Sequence, residues 1–139
     1  MAKDGKIERV EDMSVFRAFF DLALAVEELT RRCDPEFRWL RSQVLRSSES
    51  VCANMTEGFY SQYSTEYLQA LYRCRREGHE TVTHLQYAVS VKLLAQDSVS
   101  TISKRYSDAL KQLSNLITSI ERKIRQRGKT KSDPPAPPS

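Results

Sequence analysis

Four stretches of this chain repeat apolar side chains at alternating spacings of three and four residues, and only a few residues separate one stretch from the next. That spacing is the seam of a helix that faces other helices. Helices joined by short connections pack as antiparallel neighbours. The first stretch, residues 14–32, places Val15, Phe19, Leu22, Val26 and Leu29 on one seam, and Phe16, Phe20, Ala23 and Leu24 widen it. A stripe that wide gives the helix neighbours on more than one side, and a subunit interface would use the same surplus. Asp34-Pro35 then reads as a helix start, with Asp as cap and Pro in the first turn. The second seam is Phe37, Leu40, Val44, Ser47, Val51, Asn54 and Gly58. Ser47 and Asn54 put polar groups where Leu would stabilise more, a device that fixes register. Gly58 reads as the stop. The third helix is expected over 64–91, with Gly78 admitting a close neighbour in its middle, and the fourth over 96–127, roughly 48 Å long. The fold class is therefore all-α, an antiparallel up-down four-helix bundle.

The ends are different in kind. Residues 1–12 mix both charge signs around Gly5 and read as a flexible leader, residues 13–128 as the bundle, and residues 129–139 as a basic, then proline-rich, disordered tail. The net charge of +4 is unevenly placed: residues 122–131 hold six basic side chains and no acid, leaving 16 basic against 18 acidic elsewhere. No apolar run approaches the ~20 residues that span a bilayer. The three cysteines are widely spaced, and no secretory leader is evident, so a cytoplasmic location is expected.

Catalytic patterns are missing. His79 and His84 lie five apart, about 140° around a helix, which is not the spacing of a helical metal pair. Glu80 and His84 are one residue too far apart for the Glu-x-x-His set of bundle-core metal sites. No glycine-rich phosphate loop follows a strand. The expectation is a protein that is not an enzyme and needs no cofactor or metal. Its candidate phosphate contacts are Arg73, Arg75 and Arg76 on the third helix, with Arg122, Lys123, Arg125 and Arg127 on the fourth. The competing reading of the second group is a solvated helix end. Residues 59–63 (FYSQY) could stack on bases or cover the end of the bundle. Trp39 reads as an anchor at the core edge.

A polar ladder, Arg46, Ser50, Asn54 and Glu57, runs beside the second seam. It reads as a network that orders the bundle, with a ligand site as the alternative. With Gln43, Val44, Ser47, Val51, Ala53, Gly58 and Phe59 it resembles the signature helix of a bacterial four-helix-bundle family. That family was first met as proteins encoded in intervening sequences of 23S ribosomal RNA genes ("S23"), and the accessory variability protein of diversity-generating retroelements is related to it. The resemblance runs from about residue 10 to residue 124 and includes Glu66-Tyr67, Glu80 and residues 116–120. Two places depart from the pattern: Arg76-Glu77-Gly78 stands for Gly-Ser-Leu, and Val44-Leu45 stands where many members carry a basic residue. The resemblance implies a homopentameric barrel. It also implies an RNA- or DNA-binding accessory subunit that joins a reverse transcriptase to its RNA. A protein-only homo-oligomeric scaffold and a ribosome- or rRNA-associated protein are the alternatives.

Overall fold

The computed structural model describes residues 5–128, and all regular structure among them is helical. Four helices follow one another: α1 (Ser14–Thr30), α2 (Arg38–Phe59), α3 (Ser64–Ser90) and α4 (Gln96–Gly128). Each packs on its neighbour in sequence, and α1 also packs on α4, closing the bundle. Cross-helix contacts run in opposite sequence directions: Ser47 meets Thr81 and Asn54 meets Arg73 between α2 and α3, while Tyr72 meets Glu121 between α3 and α4. With Gly78 beside Leu110, and with Ser14 meeting Gln112 and Phe19 meeting Tyr106, the α2–α3, α3–α4 and α1–α4 pairs are antiparallel.

The ends of α1, α3 and α4 lie within two residues of those expected from sequence. The entry to α2 differs. Pro35–Phe37 forms a turn of 3-10 helix in which the Phe37 N–H donates to the Asp34 carbonyl at 2.9 Å. The Asp34 side chain caps nothing, because the tighter turn already takes up the first free N–H. The end of α2 differs more. Gly58 is buried inside the last turn with a helical backbone, and α2 continues to Phe59. A Cβ placed on Gly58 would lie 2.5 Å from the Cβ of Ala70, so the glycine is there for contact with α3 rather than to stop the helix. Gly78 behaves as expected: its missing Cβ leaves room for a Leu110 methyl, 2.9 Å from where the Cβ would sit, and for the Phe19 ring.

The core is formed by Phe19, Leu22, Val26, Leu40, Val51, Met55, Tyr67, Leu71, Leu85, Tyr106, Leu113, Ile117 and Ile120. Of the two polar seam positions, Ser47 is fully buried and Asn54 sits at the rim. Ser47 Oγ lies 2.7 Å from Thr81 Oγ1, and each hydroxyl also reaches a backbone carbonyl on its own helix. Removing one partner leaves a buried hydroxyl with less than its full set of bonds. Ser47→Ala and Thr81→Val are each expected to lower stability by about 1–2 kcal/mol. In a urea double-mutant cycle the pair should show a coupling of about 1 kcal/mol, and strict additivity would remove it as a register device. Cys52 and Cys74 are buried nearby, and burial pushes both thiols up to about 12, which leaves them inert as nucleophiles.

The segment before α1 is packed where a flexible leader was expected. Val10 and Met13 are buried, and Val10–Asp12 forms a single 3-10 turn. The Val10 N–H donates to Tyr60 Oη at 3.2 Å, and Tyr67 Oη donates to Met13 Sδ at 3.4 Å. Asp12 accepts from the Glu8 and Arg9 amides, and those bonds hold its carboxyl below the usual range. The apolar side chains at 10 and 13 thus seal the bundle at the start of α1. The tail expected at 129–139, like residues 1–4, lies outside the described residues.

Candidate nucleic-acid interface

The cationic residues named from the sequence fall on two separate faces. Those at the end of α4 lie beside the start of α3, where Arg127 donates to Ser64 Oγ at 2.8 Å. Arg122 and Arg125 are exposed, and Lys123 and Arg127 are partly covered. The helix dipole favours positive charge in these last turns. Glu121, the one acid among residues 122–128 and their immediate N-terminal neighbour, accepts a 2.5 Å hydrogen bond from the Tyr72 hydroxyl. That bond raises the phenol's pKa. Arg75 lies over the Tyr72 ring, 5.4 Å from its centre, and so joins the α3–α4 face.

Two further cations belong with this group and were not singled out from sequence. Lys104 and Lys111 are exposed on α4. At 100° per residue, Lys104, Lys111 and Arg122 project within about 20° of one another, and Arg125 about 60° away. From Lys104 to Arg125 the row is about 32 Å long. The signal lies in the spacings of seven and eleven, which bring distant residues onto one helix face. Among the described residues, none of these four is held in an ion pair.

Arg73 points the other way, toward α2. Its Nε donates to Asn54 Oδ1 at 3.0 Å, and a terminal nitrogen reaches Glu57 at 3.4 Å. Asn54 in turn donates to the Ser50 carbonyl and hydroxyl, both at 2.9 Å. Arg46 pairs with Glu80 at 3.1 Å and approaches Glu77 at 4.0 Å, and His84 lies 3.3 Å from the same Glu80 carboxylate. The ladder Arg46–Ser50–Asn54–Glu57 is therefore knitted to α3 across the groove, with Gln43 exposed beyond its end. This geometry favours a network that sets how α2 and α3 pack. Arg73 has its Nε and one terminal nitrogen engaged there, whereas Arg76 is exposed.

Glu77 is the strained member of that network. One carboxylate oxygen is buried without a hydrogen-bond partner, and burial beside Glu80 raises the group's pKa above its ordinary 4.5, with Arg46 and Arg76 opposing. A carboxyl whose pKa is raised on folding favours the folded state at low pH, and that contribution is lost as pH rises through the folded-state value. Glu77→Gln is therefore expected to raise the urea midpoint at pH 7, and the gain should shrink as pH falls toward 4.5. A gain that is independent of pH would show that the charge on Glu77 is not the cause.

The aromatic residues also separate. Phe59 is buried edge-on against Tyr60 and Tyr67 and covers the bundle end, while Tyr60 and Tyr63 are exposed. Trp39, expected as an anchor at the core edge, is 54% exposed and meets the exposed Tyr87 edge-on, with ring centres 6.0 Å apart. It stands one position off the α2 seam, and α3 offers it only that surface ring. Among the described residues, no group of three or more His, Cys, Asp or Glu side chains is placed to hold a metal ion, and no helix is long and apolar enough to cross a membrane.

Comparison with known proteins follows the same lines. The model of a family described as 23S rRNA-intervening sequence protein matches residues 11–115. The match takes in the α2–α3 network and stops before the cations of the last α4 turns. The fold is similar to that of a protein of unknown function from the S23 ribosomal protein family of Bacteroides thetaiotaomicron VPI-5482, solved at 1.70 Å. The two share 21% identity over 75% of this chain and 95% of that one, with a TM-score of 0.70. At that identity the likeness bears on the fold alone. No curated protein matches the chain.

Proposed function

We propose, from the premise that this chain belongs to the 23S rRNA-intervening sequence protein family, that it is a noncatalytic nucleic-acid-associated adaptor of the cytoplasm. The observation that carries the reading is the row of exposed cations along α4, ending in Arg122 and Arg125. Such a row neutralises phosphates, releases counterions and makes binding salt-sensitive with little base readout. A rigid helix presents those charges at fixed spacing, so little order has to be gained on binding. The resemblance at the α2 signature extends the proposal. The chain would act as an accessory subunit that holds a reverse transcriptase and its RNA together, and it would assemble as a homopentamer. In a ring of five copies, each weak phosphate face would act with its neighbours and gain avidity.

A second reading, a protein-only homo-oligomeric scaffold, is favoured by a different observation. Phe20 and Leu24 leave about half of their surfaces exposed on one face of α1, one turn apart. An apolar face of that kind is what a neighbouring copy would cover.

Light scattering of the full chain, with and without a structured RNA at low and high salt, separates the two. The adaptor reading expects an oligomer that takes up RNA and sheds it as salt rises. An oligomer indifferent to RNA at low salt supports the scaffold and removes the adaptor.

A further inference from the structure

We propose, resting on the nucleic-acid reading above and deepening it, that the furrow between α3 and α4 holds a single RNA strand by its sugar–phosphate backbone and selects RNA over DNA through a ribose 2′-hydroxyl. Two clefts lie along this furrow, of about 430 Å³ and about 390 Å³. Ser103 on α4 lines both. Their order follows from the antiparallel packing of the two helices. Gly78 sits beside Leu110, and the cleft next to that contact gathers His79 with Ser107, Lys111 and Ser114. About two turns further along α3, Gln86 and Ser90 face Gln96, Ser100 and Ser103 in the other cleft.

The two clefts differ in chemistry. His79 and Lys111 are exposed at the first. Lys111 belongs also to the row of cations along α4, so a phosphate lying on that row can settle there. The second cleft is neutral: serine hydroxyls and glutamine amides line it, over Val89 and Val99. Such groups both donate and accept. A ribose 2′-hydroxyl does the same, and it is the group by which a protein tells RNA from DNA. Among the described residues, no Asp or Glu lines either cleft to repel a phosphate, and no Phe, Tyr or Trp lines one to stack on a base. The furrow is therefore suited to reading the backbone of a strand and not its base sequence.

Ser103 makes the furrow more than a row of small polar residues. Its Oγ is buried and has no hydrogen-bond partner among the described residues. A serine or threonine inside a helix can spend its hydroxyl on the carbonyl one turn back. Ser90 and Thr101 do so, on the Gln86 and Asp97 carbonyls at 3.1 and 3.2 Å. A buried hydroxyl with no partner costs stability that an alanine would not. Because no bond holds it, rotation about one side-chain torsion turns Ser103 Oγ into the furrow without breaking a hydrogen bond. It then stands one turn, about 6 Å along the axis, from Ser107 in the phosphate cleft. A 2′-hydroxyl and a neighbouring phosphate of one strand can be held together at that spacing.

The test compares three labelled single strands of one sequence, built from A and C only, on the full chain: RNA, DNA, and 2′-fluoro RNA, which keeps the ribose pucker of RNA and cannot donate. Fluorescence anisotropy should give RNA the highest affinity, about fivefold or more over the other two, the loss expected for one hydrogen bond. Ser103→Ala should bring RNA down to the level of DNA and leave the DNA affinity and the salt slope unchanged. The same variant should unfold at an equal or higher urea concentration, since an unpaired buried hydroxyl is gone. Gln86→Ala, at an exposed residue, should also shrink the preference. Lys111→Gln should weaken RNA and DNA alike and lower the salt slope by about 0.7. Equal binding of RNA and DNA, or a preference untouched by both Ser103→Ala and Gln86→Ala, would overturn the furrow as an RNA selector and leave the adaptor reading standing. Failure of all three strands to bind at low salt would instead remove the adaptor reading, and the selector with it.

Discussion

Gly58→Ala is expected to destabilise the bundle by about 1–3 kcal/mol, the reverse of what helix propensity alone dictates. In an open helix the same change gains about 1 kcal/mol. Here the new methyl would sit 2.5 Å from the Ala70 Cβ and 3.2 Å from a Tyr67 ring carbon. Neither neighbour can give way: Ala70 has no rotatable bond that moves its Cβ, and the Tyr67 ring is fully buried. Relief requires α2 and α3 to move apart, which loosens the Ser47–Thr81 contact about three turns away on each helix. Gly78→Ala provides the contrast. Its new methyl meets the far end of a Leu110 side chain, which can change rotamer, so propensity and crowding should cancel to within about 1 kcal/mol. Urea unfolding of the two variants decides the matter. If both gain stability, the close approach at Gly58 is not a constraint.

The second large effect concerns the end of α4. Replacing Arg122, Lys123, Arg125 and Arg127 by Gln should weaken RNA binding on the order of 100-fold or more at moderate salt. If each side chain meets one phosphate, the slope of log affinity against log salt should fall by about 3. The oligomeric state should not change. Stability should drop by only about 1 kcal/mol, from the Arg127–Ser64 bond and the lost dipole complement. Arg73→Gln is the matched control. Its guanidinium is held by Asn54 and Glu57, so it should loosen α2 against α3 and leave RNA binding nearly unchanged. Affinity that survives the fourfold change and falls with Arg73 would move the interface to the α2–α3 groove.

Much of the fold was legible in the sequence because the breaks between seams are short and strongly marked. Pro35 and the brief stretches at 60–63 and 91–95 leave little freedom in where each helix begins. The facing of individual residues was less legible. A seam counted at 3.5 residues per turn drifts by about 20° per heptad on a straight helix. Along α2 that drift carries Asn54 out to the rim and brings Cys52, Met55 and Phe59 inward. Gly58 misled for another reason: a glycine after an apolar run looks the same whether it ends a helix or admits a neighbour, and only Ala70 opposite tells them apart. The candidate interface was half legible. Three arginines within four residues look like one patch, yet consecutive positions on a helix point about 100° apart, which sends Arg73 to α2 and Arg75 to α4. Lys104 and Lys111 were hidden by the converse effect, far apart in the chain and aligned on the helix.

The contact between Gly58 and Ala70 also constrains how the chain can change over generations. The two positions share a single allowance of volume, so they are not free to vary separately. Removing the Ala70 methyl would relieve the shortest contact of a side chain at 58, whereas a side chain at 58 added first meets both Ala70 and the buried Tyr67 ring. Twelve residues apart in sequence and joined by one methyl's width, they form a ratchet. The cationic end of α4 bears none of that contact, so a change there is not tied to the volume shared by 58 and 70.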